Sequence, residues 1–273
     1  MYQLGWFSTG NTKAAVDLLQ TVQTNIKQGE IAAEITFVFC NRERGDSKQS
    51  DLFLDYVEAH NIPLICFSYP KYKAARGLSN PDPRKPLPDW RIDYDKKVMA
   101  LLPDSQPDLC VLAGYMMITS KEMCQRYNMI NLHPAAPGGP TGTWQEVIWQ
   151  LIDNKARETG VLMNLVTPEL DKGPVVSYCT FSIRGEPFDN YWQDIEGRSV
   201  EEIKETEAKD NCLFKLIREY GVTRELPLIV ATIKAFSQGK IRITADKKVI
   251  DSQGRAIRGY NLTDEVNKVI KRV

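Results

Sequence analysis

The stretch YQLGWFSTGNTKAAVDLLQTVQTNI, from Tyr2 to Ile26, decides the fold class. Its first residues form an apolar run that ends at Thr9-Gly10-Asn11, a turn composition. Apolar residues then recur near helical spacing. A strand that turns directly into a helix is the opening of a β-α unit. Outward from it the pattern repeats. EITFVFC (34–40) reads as a strand, SDLFLDYVEAH (50–60) as a helix and IPLICFS (62–68) as a strand. A Pro- and Lys-rich loop over 70–89 leads to the helix IDYDKKVMALL (92–102) and the strands DLCVLAGY (108–115) and MINLH (129–133).

Repeated β-α units with near-continuous apolar strands predict an α/β fold, a Rossmann-like, mostly parallel sheet with helices on both faces. The second half changes character. TGTWQEVIWQLIDN (141–154) reads as a helix, while GVLMNLV (160–166) and PVVSYCTFSI (174–183) read as strands joined by the turn TPELDKG. These are mixed strands. A polar stretch over 184–207 reads as a partly mobile loop, followed by two helices, DNCLFKLIREYG (210–221) and RELPLIVATIKAFSQ (224–238). KIRIT and KVIDS form a C-terminal hairpin. Without a clear linker, residues 1–273 are expected to form a single domain with two lobes, 1–118 and 119–273.

Lys plus Arg and Asp plus Glu each number 35, so the net charge is zero. Nucleic-acid and membrane-surface partners need a basic excess and are not expected. No apolar run approaches the roughly 20 residues that span a bilayer. The opening MYQLGWFSTGNTK lacks the features of a signal peptide. Six scattered cysteines read as reduced thiols of a cytoplasmic protein. Two histidines with no ligand cluster give no expectation of a metal.

Parallel sheets bind ligands at the carboxyl ends of their strands. That rule points to residues 8–12, 40–44, 114–118 and 131–142. His60 sits at a helix end and reads as structural. His133 ends a strand before Pro134, which keeps it extended. Alternation puts Asn131 and His133 on one face, with Leu132 turned to the core. Position alone leaves two readings open, a hydrogen-bonded pair closing a sheet edge or a ligand site. Asp171, in TPELDKGPVV, is on its own no more than a turn residue. Together the three divide the labour of acyl transfer to an amine. The Asn131 amide donates to a developing oxyanion, His133 carries a proton, and Asp171 orients the imidazole.

The segments NLHP, from Asn131, and VTPELDKGPVV, from Val166, resemble the two signatures of the 10-formyltetrahydrofolate-dependent formyltransferases. The likeness is nearest to the branch that acts in purine synthesis, and it covers most of the chain. It implies the formyltransferase fold, with residues 1–118 as a nucleotide- and phosphate-binding lobe and 119–273 as a catalytic and folate-binding lobe. FSTGNTKAA resembles the phosphate-binding turn, through Gly10, Asn11 and Thr12. WRIDYDKKV resembles a segment whose arginine, here Arg91, contacts substrate phosphate. DLCVLAGYMMITS resembles the folate-pocket edge, through Gly114, Tyr115, Met116, Met117 and Ile118. Leu170, Asp171 and Gly173 are implied to line the pterin pocket.

The resemblance thus implies formyl transfer from 10-formyltetrahydrofolate, as co-substrate, to a phosphorylated small molecule such as glycinamide ribonucleotide. A monomer or homodimer is expected. Alternatives are another amine acceptor such as an amino sugar, hydrolysis of the formyl donor, or a non-catalytic binding homologue. The hydrolases usually carry a domain before the first strand, where this chain starts, which favours transfer. Two positions depart from the pattern. Met117 stands where the purine enzymes have arginine, and Val222 where they have a ribose-binding glutamate. The loop after His133 is also shorter than theirs. These departures bear on the acceptor more than on the reaction.

Overall fold

The structure is a computed structural model and describes residues 1–82, 85–169 and 172–271. Ten strands and ten α-helices follow one another along the described chain. The first half runs β1 (Tyr2–Ser8), α1 (Lys13–Lys27), β2 (Ala33–Cys40), α2 (Lys48–Ala59), β3 (Leu64–Cys66), α3 (Tyr69–Ala74), α4 (Asp89–Leu101), β4 (Leu109–Leu112), α5 (Lys121–Arg126) and β5 (Met129–His133). The second half runs α6 (Trp144–Asp153), β6 (Glu158–Leu165), β7 (Val175–Ser182), α7 (Phe188–Asp194), α8 (Val200–Thr206), α9 (Cys212–Ser237), β8 (Ile241–Ile243), β9 (Val249–Asp251), β10 (Tyr260–Asn261) and α10 (Thr263–Ile270).

Eight strands form one sheet in the order β10-β7-β6-β5-β4-β1-β2-β3. The pairs from β3 through β2, β1 and β4 to β5 are parallel. β6 runs antiparallel to both β5 and β7. β10 returns parallel to β7, and β8–β9 form a separate hairpin. The sheet therefore passes without a break across residue 118. The order reverses between β1 and β4, and that reversal opens a crevice at their carboxyl ends.

Alternation along each strand feeds two cores. Trp6 packs with α1, α2 and the second half of α9. Phe7, next in sequence, packs on the opposite face with α3, α4 and α5. A third cluster unites α6, α7, α8 and the first half of α9 around Phe181 and Ile183. Each such apolar side chain contributes about 1.5–3 kcal/mol on burial.

Several expected elements differ. β3 is only three residues long, because just Leu64–Cys66 reach β2 in the ladder. The stretch expected to be a mobile loop over 184–207 instead forms α7 and α8, whose Phe188, Trp192, Val200 and Ile203 are buried. The loop over 70–89 likewise opens with α3. The two helices expected over 210–238 are one, α9, which runs through Gly221 and Pro227. Its first half is anchored by Leu213, Phe214 and Ile217 and its second by Leu228, Ile229 and Ile233. Packing at both ends overrides the local breakers. α5, α10 and β10 carried no signal in the sequence reading. No described helix is long and apolar enough to cross a membrane.

Candidate active site

The carboxyl ends of β1 and β4 are stitched together at the crevice. Ser8 Oγ donates to the Ala113 carbonyl at 2.8 Å. Thr9 N–H donates to the Gly114 carbonyl at 3.1 Å, and Met116 N–H donates to Thr9 Oγ1 at 3.1 Å. Gly10 turns at φ +65 and donates its N–H to Ser8 Oγ. A side chain there would be strained and would crowd Phe53. Thr12 caps α1 by accepting from Ala15 N–H, and Asn11 Oδ1 accepts from Ser47 Oγ at 3.0 Å. The turn expected to hold phosphate is thus a fixed main-chain loop at the start of α1, where an anion is favoured.

β5 lies between β4 and β6. Asn131 pairs with Leu112 on one side and Asn164 on the other, and His133 pairs with Leu162. Asn131 and His133 share the face that carries Met129 into the α4–α5 core, while Leu132 packs on the opposite core. His133 is 6% exposed, and its Nε2 lies 3.1 Å from the Pro140 carbonyl. A carbonyl only accepts, so Nε2 is the donor in that contact. Leu170 and Asp171 lie outside the described residues. The base of their loop is described. Leu165 N–H donates to the Pro174 carbonyl at 2.9 Å and Val166 N–H to the Met129 carbonyl at 2.8 Å. Gly173 sits against that base so closely that a Cβ would stand 1.6 Å from the Leu165 carbonyl oxygen.

Arg91 departs from its expected place. It is 1% exposed, paired with Asp95, and its Nη2 donates to the Ile118 carbonyl at 2.8 Å. Asp95 also accepts from Ser120 N–H at 2.7 Å, tying α4 to the start of α5. Burial opposes the guanidinium charge, but the Asp95 carboxylate outweighs it and holds the Arg91 pKa above its ordinary value. The guanidinium is thus enclosed between α4 and the start of α5, which it staples together through Asp95 and the Ile118 carbonyl. Replacing Arg91 with Met strands Asp95 in the core, and urea unfolding should register a loss of about 3–5 kcal/mol. The KM of an acceptor should not rise selectively; an unchanged stability with a raised KM would return Arg91 to the site.

Tyr115 also turns inward. Its ring packs edge-on against Phe7 and Phe39, so any part it takes in a pocket falls to its main chain. Met116 beside it is 80% exposed, while Met117 and Ile118 are partly buried. Met117 Sδ accepts from Asn41 Nδ2. The Asn41 carboxamide in turn accepts from Arg42 Nη1 at 3.0 Å, and so does the Asn41 carbonyl at 2.8 Å. Among the described residues Arg42 forms no ion pair. Asn41 N–H donates to the Ser8 carbonyl, which puts the residues after β2 beside the Gly10 turn. Arg42 lies within 40–44, one of the strand-end segments, and nothing in its local sequence pattern singles it out.

Val222 is exposed on α9, and Glu225, three residues further on, is tied to Arg218 at 2.7 Å. Four of the six thiols are poor candidates for a nucleophile. Burial pushes Cys40 and Cys124 up to about 12 and Cys66 and Cys179 up to about 11. At neutral pH these four remain protonated, and the thiolate is the reactive form.

Residues 12–186 match the protein family described as formyl transferase. Phosphoribosylglycinamide formyltransferase of Saccharomyces cerevisiae is 30% identical over 122 residues, covering 42% of this chain and 55% of that protein. Formyltetrahydrofolate deformylase 1, mitochondrial, of Arabidopsis thaliana is 26% identical over 207 residues, covering 74% of this chain and 52% of that protein. The chain thus spans about half the length of each. The solved phosphoribosylglycinamide formyltransferase of Coxiella burnetii shares the fold, with a TM-score of 0.61 at 21% identity over 95% of this chain and 98% of that one.

Proposed function

The chain belongs to the formyl transferase family, and from that premise we propose that it moves a formyl group from 10-formyltetrahydrofolate to the amine of a phosphorylated acceptor, with glycinamide ribonucleotide the first to test. The observation that carries this reading is the Asn131–His133 pair on one face at the carboxyl end of β5.

The donor supplies an activated formyl carbon. In the transfer the bond from that carbon to the folate nitrogen breaks and a bond to the acceptor amine forms. One proton leaves the amine and one reaches the folate nitrogen. Asn131 donates to the formyl oxygen as negative charge develops there. His133 relays the proton. Asp171, by the resemblance, orients the imidazole. A folate-type donor needs an apolar edge beside accessible main chain, and exposed Met116 next to Gly114, at φ +68, offers both.

The acceptor phosphate is assigned to the Gly10–Thr12 turn with Arg42 as the cation, in place of Arg91. Among the described residues Arg42 is held by its neighbour's oxygens, which orient it without cancelling its charge. Water as acceptor is the second reading, favoured by the match to the deformylase. It leaves an anion site at Gly10 and Arg42 without use.

The test incubates the protein with 10-formyltetrahydrofolate and a panel of phosphorylated amines, following tetrahydrofolate and formate separately. Amine-dependent tetrahydrofolate release supports transfer, and formate release without amine supports hydrolysis. With an active acceptor, Arg42→Met should raise its KM about 10–100-fold, the worth of one or two charge-assisted hydrogen bonds. The same KM for wild type and variant would remove Arg42 from the phosphate site.

A further inference from the structure

One buried polar group beside the proposed site is left without a partner. Asn164 is 4% exposed, and among the described residues its Oδ1 accepts no hydrogen bond. It interrupts the otherwise apolar run Val161-Leu162-Met163 … Leu165 of β6. A buried acceptor left bare is costly, and native structures that keep one generally use it.

Its place is specific. Asn164 stands directly opposite Asn131 in the antiparallel β5–β6 ladder. Residues opposed in this way put their side chains on the same face, with Cβ atoms roughly 4.5–5.5 Å apart. Two carboxamides across that gap are within reach of each other. The β6–β7 register also shifts between Met163 and Asn164, a bulge of the kind that re-aims a side chain beside a site. One residue further on, Leu165 is pinned to Pro174 at the base of the loop that contains Asp171. Asn131 itself makes no side-chain hydrogen bond among the described residues.

We propose that Asn164 is a positioning residue for the transfer: its buried Oδ1 accepts one N–H of the Asn131 carboxamide when the site is engaged, so that the second N–H points at the formyl oxygen. An Asn amide has two donors, and this division uses both. The inference rests on the formyl-transfer reading. It adds what holds the oxyanion donor, which is otherwise free to rotate about two side-chain bonds.

The sign of the stability change sets this role apart from a structural one. Asn164→Leu keeps the approximate shape and removes the bare acceptor, so the melting temperature should rise by roughly 2–6 °C. In the same variant kcat for the active acceptor should fall about 10–100-fold, the usual scale for a misplaced catalytic group, with KM little changed. Asn164→Asp keeps an acceptor oxygen in place and should recover most of that loss. In an Asn131→Ala background, Asn164→Leu should cost nothing further, because the group it positions is gone.

A stabilised, slower Asn164→Leu with this non-additivity supports the proposal. Wild-type kcat in Asn164→Leu overturns it, as does a full additive loss in the double variant. So does a fall in melting temperature, which would mark Asn164 as a structural residue. If the wild-type protein transfers formyl to no amine, the formyl-transfer reading falls first and the inference falls with it. That outcome is visible before any variant is made.

Discussion

His133→Ala is expected to lower kcat by about 10²–10⁴-fold with an active acceptor, the range that proton transfer by a positioned side chain contributes. The expectation follows from where the ring is held. β5 ends at His133, the ladder to Leu162 fixes its main chain, and the Pro140 carbonyl holds its Nε2. An imidazole fixed at both ends is placed to pass a proton between two nitrogens. Removing it also leaves the Pro140 carbonyl without this donor, a stability loss of about 1–3 kcal/mol. Steady-state kinetics and a thermal melt separate the two effects. A loss confined to kcat, with the protein still folded at the assay temperature, fits a proton carrier. Activity within a factor of about three of wild type would remove His133 from the chemistry and leave it as the closure of the sheet edge.

The parts of this site that were legible in the sequence are those written in local pattern. The run into Gly10 and the helix after Thr12 announce a β-turn-α unit, and the structure uses Gly10 at positive φ and Thr12 as a cap. Pro134 after a five-residue apolar strand predicted that Asn131 and His133 share a face, as they do. What was not legible depends on partners distant in sequence or on burial. Arg91 reads through the resemblance as a phosphate contact, yet Asp95, one turn later, was there to be read as its partner. Only the depth of the pair required the fold. Asn164 was visible as a polar residue inside GVLMNLV, but its apposition to Asn131 exists only once the β5–β6 register is known. The continuity of α9 was hidden for the opposite reason. Gly221 and Pro227 are real local breakers, and only the two clusters gripping the helix hold it through them.

Gly173→Ala should be the most damaging small change in the chain, removing activity to at least the extent of His133→Ala and lowering stability by about 3 kcal/mol or more. The reason is steric rather than conformational. A methyl group at Gly173 would lie 1.6 Å from the Leu165 carbonyl oxygen and 2.8 Å from its carbon, both main-chain atoms that no rotamer change can move. Relief requires parting the ends of β6 and β7, which breaks the 2.9 Å bond from Leu165 N–H to the Pro174 carbonyl. That bond closes the base of the 166–174 loop, and the loop's other tie, Val166 N–H to the Met129 carbonyl, runs to the start of β5. A displacement there is carried at once to Asn164, one residue before the hinge, and through the ladder to Asn131. The control is Gly221→Ala in α9, where nothing lies within 4 Å of the added methyl. In a helix interior that exchange should stabilise by roughly 0.5–1 kcal/mol. Urea unfolding of both variants, with kinetics on each, tests the contrast. A Gly173→Ala protein as stable and as active as wild type would mean that the loop base yields freely. The mutual placement of Asn131, Asn164 and the loop could not then be what holds the oxyanion donor in register.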